Sequence, residues 1–156
     1  MIPGKHGADD QPQGVIDSRH VGKLRTPLAW GVVWGCLQAV SPLAFFWLTD
    51  ATLYAIELAL IAAIYIGFSV ADGRGTIIAI ETLVAAAFVV IAAASVTGPP
   101  WLIVAGLAGH GLKDLWQHHT QFVVNTRWWP PFCATVDFVA ASLIAVAIMA
   151  NFHVTW

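Results

Sequence analysis

His110, Lys113, Asp114, Gln117, His118 and Gln121 recur at three- and four-residue intervals in a chain that is otherwise strongly apolar. At about 100° per residue, His110, Asp114, Gln117, His118 and Gln121 share one side of a helix, with Lys113 at its edge and His119 opposite. His110 and Asp114 are four residues apart, as are Asp114 and His118, so each pair can touch. A His-Asp-His ladder of this kind supports three chemistries. Neutral imidazole and carboxylate ligate a divalent metal such as zinc or iron. Buried, the same groups serve as general acid and base. Arranged along a bundle, they relay protons or ions. The spacing does not choose among these. It is not the H-E-x-x-H of zinc peptidases, and no second His-rich motif completes a di-iron set.

The composition names the solvent in which the ladder works. Of 156 residues, 58% are hydrophobic and 10% charged, with a mean hydropathy of +0.74; a soluble domain is about 25% charged. Five apolar stretches, 28–48, 52–71, 75–97, 101–124 and 131–152, each approach the roughly 20 residues that cross a bilayer. Thr49-Asp50, Asp72-Gly73-Arg74-Gly75, Gly98-Pro99-Pro100 and Trp128-Trp129-Pro130-Pro131 separate them, as turn and helix-start residues should. The expected fold is therefore all-α: a polytopic membrane helix bundle of five transmembrane helices over 27–156, behind a flexible polar tail over 1–26. That tail has no apolar core or cleavage site of a signal peptide. Pro42 is expected to kink the first helix.

Arg19, Lys23, Arg25, Arg74 and Arg127 all fall on one side of such a bundle. The positive-inside rule then places the N-terminus in the cytoplasm and the C-terminus outside. Trp101, Trp128, Trp129 and Trp156 sit at span ends, where an aromatic belt belongs. A net charge of −2 without a basic run excludes nucleic acid as a partner. Cys36 and Cys133 make no metal-type spacing and read as small buried hydrophobes. Gly31 and Gly35 form a G-x-x-x-G pattern that suits a homo-oligomer face or packing within the chain.

Topology sets depth. Glu81 in the third span, Asp114 and His118 in the fourth, Asp137 in the fifth and Tyr65 in the second converge about 10 Å inside the cytoplasmic boundary. Asp114, Asp137 and Glu81 are candidate acid–base groups, with Tyr65 and Lys113 placed to stabilise negative charge. His110, Asp114, His118 and Asp137 are candidate metal ligands. Phe68, Trp116, Phe132 and Phe138 are the aromatic surroundings. Two plainer readings compete. Lys113 could pair with Glu81 or Asp137 as structural glue. Alternatively, the fourth helix could end near Gln117 and leave 118–130 along the surface. Glu57 stands apart in the outer third, approachable by Gln38, Ser41 and Ser95. Asp72 and Arg74 read as a turn and a topology charge. His6 and His20 fall in the tail, and His153 at the outer end.

The block His110-Gly111-x-x-Asp114-x-x-x-His118, followed by Arg127-Trp128-Trp129-Pro130-Pro131-Phe132-Cys133-x-x-x-Asp137, resembles a pattern in a family of small bacterial polytopic membrane proteins without assigned activity. The likeness covers the fourth and fifth spans. It implies the bacterial inner membrane, and it implies that His110, Asp114, His118 and Asp137 act together. Zinc-dependent membrane hydrolases of the ceramidase and receptor-like types are similar only in combining intramembrane His and Asp; they have more helices and other spacings.

The expected function is an integral membrane enzyme acting on a lipophilic substrate near the cytoplasmic leaflet, of hydrolase, isomerase or cyclase type. Its partners are then the lipid bilayer and a lipophilic small molecule. The rival readings are a metal-ion or proton transporter and an accessory subunit of a membrane complex.

Overall fold

Gly, Pro and Asp punctuate the apolar stretches, and the chain turns at each. The computed structural model describes residues 18–124 and 126–152, with side chains from residue 24 onward. Expectations resting on 1–17, Asn125, His153 and Trp156, or on the side chains of Arg19, His20 and Lys23, lie outside the described residues. The architecture is all-helical: α1 (Ser18–Val40), a 3₁₀ turn (Ser41–Leu43), α2 (Asp50–Asp72), α3 (Gly75–Ser95), α4 (Trp101–Thr120) and α5 (Trp129–Met149). Among the described residues there is no strand.

Local chemistry sets these bounds. Thr49 caps α2 by accepting from the Thr52 amide at 3.2 Å, satisfying one of the orphan donors of the first turn. Gly73 ends α2 in the left-handed region (φ 82°), where a residue without Cβ carries no steric cost. Pro130 and Pro131 occupy the first turn of α5, where no intrahelical N–H bond is lost.

Three boundaries differ from the sequence expectation. The first helix covers Ser18–Val40 rather than 28–48, so residues 18–26 are helical and not part of a tail. Pro42 lies in the 3₁₀ turn beyond it and ends the helix instead of kinking it, because the residue before a proline is pushed out of α geometry. The fourth helix stops at Thr120, where Gln121 turns left-handed (φ 50°). The expectation of five long apolar spans also narrows. Among the described residues, α2, α3 and α5 are long and apolar enough to cross a membrane, with mean hydropathies of 2.0, 2.5 and 2.2. These three helices support a membrane protein. α1 carries Arg25 and Pro27 in its N-terminal half, and α4 carries six strongly polar side chains from His110 to His119, which lowers the average of each.

α5 is the central element, packed against α1 and α4, while α2 packs on α3 and both lean on α4. The apolar core is built from α2, α3, α4 and α5 around Leu58, Ala92, Ile103, Leu107 and Ile144. α1 buries only Pro27, Gly31 and Gly35 among its described side chains. A Cβ on Gly31 would meet the Phe132 carbonyl oxygen at 2.8 Å and Thr135 Cβ at 2.6 Å; one on Gly35 would meet the Val136 carbonyl oxygen at 2.8 Å. The G-x-x-x-G seam is therefore spent on α5 within the chain, the close backbone approach that small residues permit in lipid. α2 meets α1 through the Tyr54 hydroxyl, which donates to the Ala39 carbonyl at 2.8 Å.

Asp72 and Arg74 do more than turn the chain. The Asp72 carboxylate accepts from the Val124 amide at 2.8 Å, and Arg74 donates to the Phe122 carbonyl at 2.8 Å and to Asp72 itself. The carboxylate beside it raises the Arg74 guanidinium further above its ordinary range. The pair clasps the α4–α5 connection to the α2–α3 turn. Asp72→Ala is expected to speed amide exchange at Val124 on the order of tenfold while leaving core amides of α5 unchanged, read by hydrogen–deuterium exchange.

Candidate acid–base and metal site

One stripe of α4 is buried along its whole length: Ile103, Gly106, Leu107, His110, Gly111, Asp114 and Gln117. The steps of three and four keep it on one face. Its first half is apolar and its second half polar, so the helix that anchors the core also carries the site. Gly111 lets α4 close on α5: a Cβ there would sit 3.3 Å from Asp137 Cβ and 3.1 Å from the Phe138 ring.

His110 holds the middle. Its Nδ1 lies 2.8 Å from Asp137 Oδ2 on α5 and 3.5 Å from Asp114 Oδ2 on its own helix. All three residues are fully buried, and their ligand atoms lie within 4.8 Å of one another. The imidazole is wedged edge-on between the Phe88 ring (4.9 Å) and the Tyr65 ring (5.7 Å). Its Nε2, both Asp114 oxygens and Asp137 Oδ1 are buried without a hydrogen-bond partner among the described residues.

A second group adjoins the first. Lys113 Nζ lies 3.0 Å from Glu81 Oε2 and 3.9 Å from Asp114 Oδ1, and 3.3 Å above the Tyr65 ring. The Gln117 amide donates to the other Glu81 oxygen. The Tyr65 hydroxyl interacts electrostatically with Asp114, Asp137 and Cys133 but makes no hydrogen bond of good geometry.

Charge balance separates the two groups. Glu81 and Lys113 neutralise each other. Asp114 and Asp137 face one imidazole, and ionised they would carry two negative charges beside a neutral ring. Buried charge without a counter-charge is costly. The His110-Asp114-Asp137 group is therefore balanced when it holds protons or takes a cation. One imidazole and two carboxylates form a donor set that suits zinc or iron, and a ring nitrogen between two carboxylates is an arrangement within which a proton can move.

The chain matches no known protein family, no curated protein and no solved structure.

Of the residues singled out by sequence, Glu81, Tyr65, Lys113, Asp114, Asp137 and His110 come together. His118 does not: it is half-buried, its Nδ1 is unpartnered, and it stands outside the group of converging ligand atoms. The reason is rotation: eight residues at about 100° each carry His118 about 80° round α4 from His110, off the fully buried stripe that Gln117 continues. His119 is exposed. Trp116 is exposed and packs on Phe122, outside the site. The Lys113–Glu81 pairing anticipated as structural glue exists, but it leaves the His-Asp-Asp group uncompensated. Residues 121–124 and 126–128 lie between α4 and α5, with Val123 and Thr126 buried. Two neighbours went unremarked in the sequence: Gln117 as the partner of Glu81, and Phe88 against His110. Phe88 follows Glu81 by seven residues, two helical turns along one face of α3.

A cleft of about 470 Å³ opens between α1, α2 and α5. Its walls are apolar (Leu37, Leu60, Ile61, Ile64, Phe132, Val136), and Asp137 and Cys133 reach it at one end. Gln38, Ser41 and Glu57 meet at the other.

Proposed function

We propose that this chain is a multi-pass membrane enzyme that transforms a lipophilic molecule with the His110-Asp114-Asp137 group. The observation that carries the reading is that Asp137 belongs to both features. It bonds His110 in the buried centre and it lines the apolar cleft. An apolar molecule entering from the bilayer would meet a proton donor or acceptor, already oriented, without passing through water. Tyr65 and Lys113 flank the centre and would stabilise negative charge that develops there. With a divalent cation such as zinc or iron bound by His110, Asp114 and Asp137, the centre would also supply a Lewis acid.

In this reading α1 and α4 are the two further spans. α4 turns its polar side inward and Leu112, Leu115 and Trp116 outward, so its modest mean hydropathy reflects the site and not its lipid-facing surface. The N-terminus is cytoplasmic, the C-terminus is outside, and the membrane is the bacterial inner membrane, as the arginine and lysine distribution and the family resemblance suggest. A transporter would need a polar path between Glu57 and the centre. Leu60, Ile61, Ile64 and Val136 fill that interval, which favours a route for apolar molecules over one for ions. Assembly with further copies or other subunits is compatible with the broad exposed apolar surface of α1.

The test is a comparison of lipid extracts incubated with purified wild type and with Asp137→Asn, by mass spectrometry, alongside elemental analysis of both proteins. The expected result is a lipid species consumed by wild type and spared by the variant. Stoichiometric metal lost in Asp137→Asn would select metal assistance. Metal in neither would select acid–base chemistry. Identical lipid profiles over the whole extract would overturn the enzyme reading.

A further inference from the structure

We propose that Glu57, Gln38 and Ser41 form a head-group site for a long-chain amphiphile whose polar end donates a hydrogen bond, a primary alcohol or amine. The inference rests on the cleft being the substrate route and adds which way round the substrate lies.

Three observations converge on this end of the cleft. The walls between it and Asp137 are apolar. Glu57 is a half-buried carboxyl in that apolar surface, and Gln38 and Ser41, from the end of α1 and the turn after it, meet it there. Glu57 Oε2, Gln38 Nε2 and Ser41 Oγ are buried facing one another, close enough to interact, yet none makes a hydrogen bond of good geometry among the described residues. A carboxyl, an amide and a hydroxyl left short of partners in a dry cleft are costly unless something completes them. Ligand sites of this kind are mostly apolar, with a few convergent polar groups that fix orientation. The carboxylate accepts and Gln38 Nε2 donates, so a head that does both completes the site: a hydroxyl or an amine fits, whereas an ether, which only accepts, leaves Glu57 unmet.

The geometry then places the reaction. Glu57 and Tyr65 are eight residues apart on α2, about 12 Å along the axis. Tyr65 is at the level of Asp137 and His110. An amphiphile anchored by its head at Glu57 lays its apolar body along Leu60, Ile61 and Ile64 and presents a point on that body, not its head, to Asp137. The substrate class is thus a single-chain lipid modified along its chain, such as at a double bond.

Photolabelling of the detergent-purified full chain tests this. The probes are a long-chain primary alcohol and the matching primary amine, each with a diazirine on the chain, and the methyl ether of the alcohol as a donorless control. Peptide mapping is expected to place alcohol or amine label on α1 and α2 beside the cleft, with the ether labelling about tenfold less. Glu57→Leu and Gln38→Leu should each reduce alcohol labelling by a similar factor. Glu57→Gln, which keeps the shape, is the second variant should Glu57→Leu misfold, and it should weaken the amine more than the alcohol. Equal labelling by ether and alcohol, or labelling insensitive to Glu57, would overturn the head-group site. Labelling lost in Asp137→Asn and kept in Glu57→Leu would overturn the site too, yet preserve the cleft as a substrate route. A cleft unlabelled by every probe would overturn both.

Discussion

Replacing Lys113 by Met should destabilise the fold by about 3–5 kcal/mol, the cost of leaving a buried carboxylate without its counter-charge. Lys113 is the cation that compensates Glu81, at 3.0 Å, and it also approaches Asp114 at 3.9 Å. Its side chain is 12% exposed and that of Glu81 2%, so water cannot take over the role. Adding Glu81→Gln to the Lys113→Met chain should restore most of the loss, because a neutral amide needs no cation and Gln117 can still bond it. Thermal unfolding of the two single variants and the double variant in detergent closes the cycle. Equal midpoints for wild type and Lys113→Met would show that Glu81 carries a proton and that the pair is not ionic.

Alanine at Gly31 or Gly35 should cost about 1–3 kcal/mol, and isoleucine more, because the added carbons meet backbone oxygens and the Cβ atoms of Thr135 and Val139, which are fixed to the backbone and cannot swing away. The contacts are the carbonyl oxygens of Phe132 and Val136, each at 2.8 Å. Neither can yield unless the whole of α1 lifts from α5. Unfolding midpoints should fall by the same amount at high and low protein concentration. A loss that depends on dilution would reassign the seam to contact between copies.

These two predictions also mark what the sequence could carry. Spacing alone put His110, Asp114 and Gln117 on one face of α4, because a helix repeats on a fixed period. Counting residues from the turns brought Glu81, Asp137 and Tyr65 to the same level. His118 stands at the edge of that face, about 80° round α4 from His110, and the end of α4 carries no mark, since a glutamine in the left-handed region gives none of the signal that glycine does at Gly73. The expected first span begins ten residues late because 18–27 is largely polar, and it ends eight residues late because the apolar character runs past Pro42 without a break in composition. The cleft was invisible to any periodicity. It exists because α1 packs on α5 instead of on α2, its neighbour in sequence, and the pattern of one helix does not say which partner it chooses. Gly31 and Gly35 announced a close approach without naming what is approached.

The position of α5 has a consequence for how the protein is made. It supplies Asp137, seats α1 and covers the polar side of α4, yet it is the last of the five helices to leave the ribosome. At about 5–20 residues per second, α1 waits on the order of 5–20 s for its partner while roughly 90 residues are added. During that interval His110, Asp114 and Lys113 have no α5 to shelter them, and the glycine seam of α1 lies open to other proteins. A chain interrupted before Trp129 would present both faults at once, a mark that membrane quality control could read before any activity is lost.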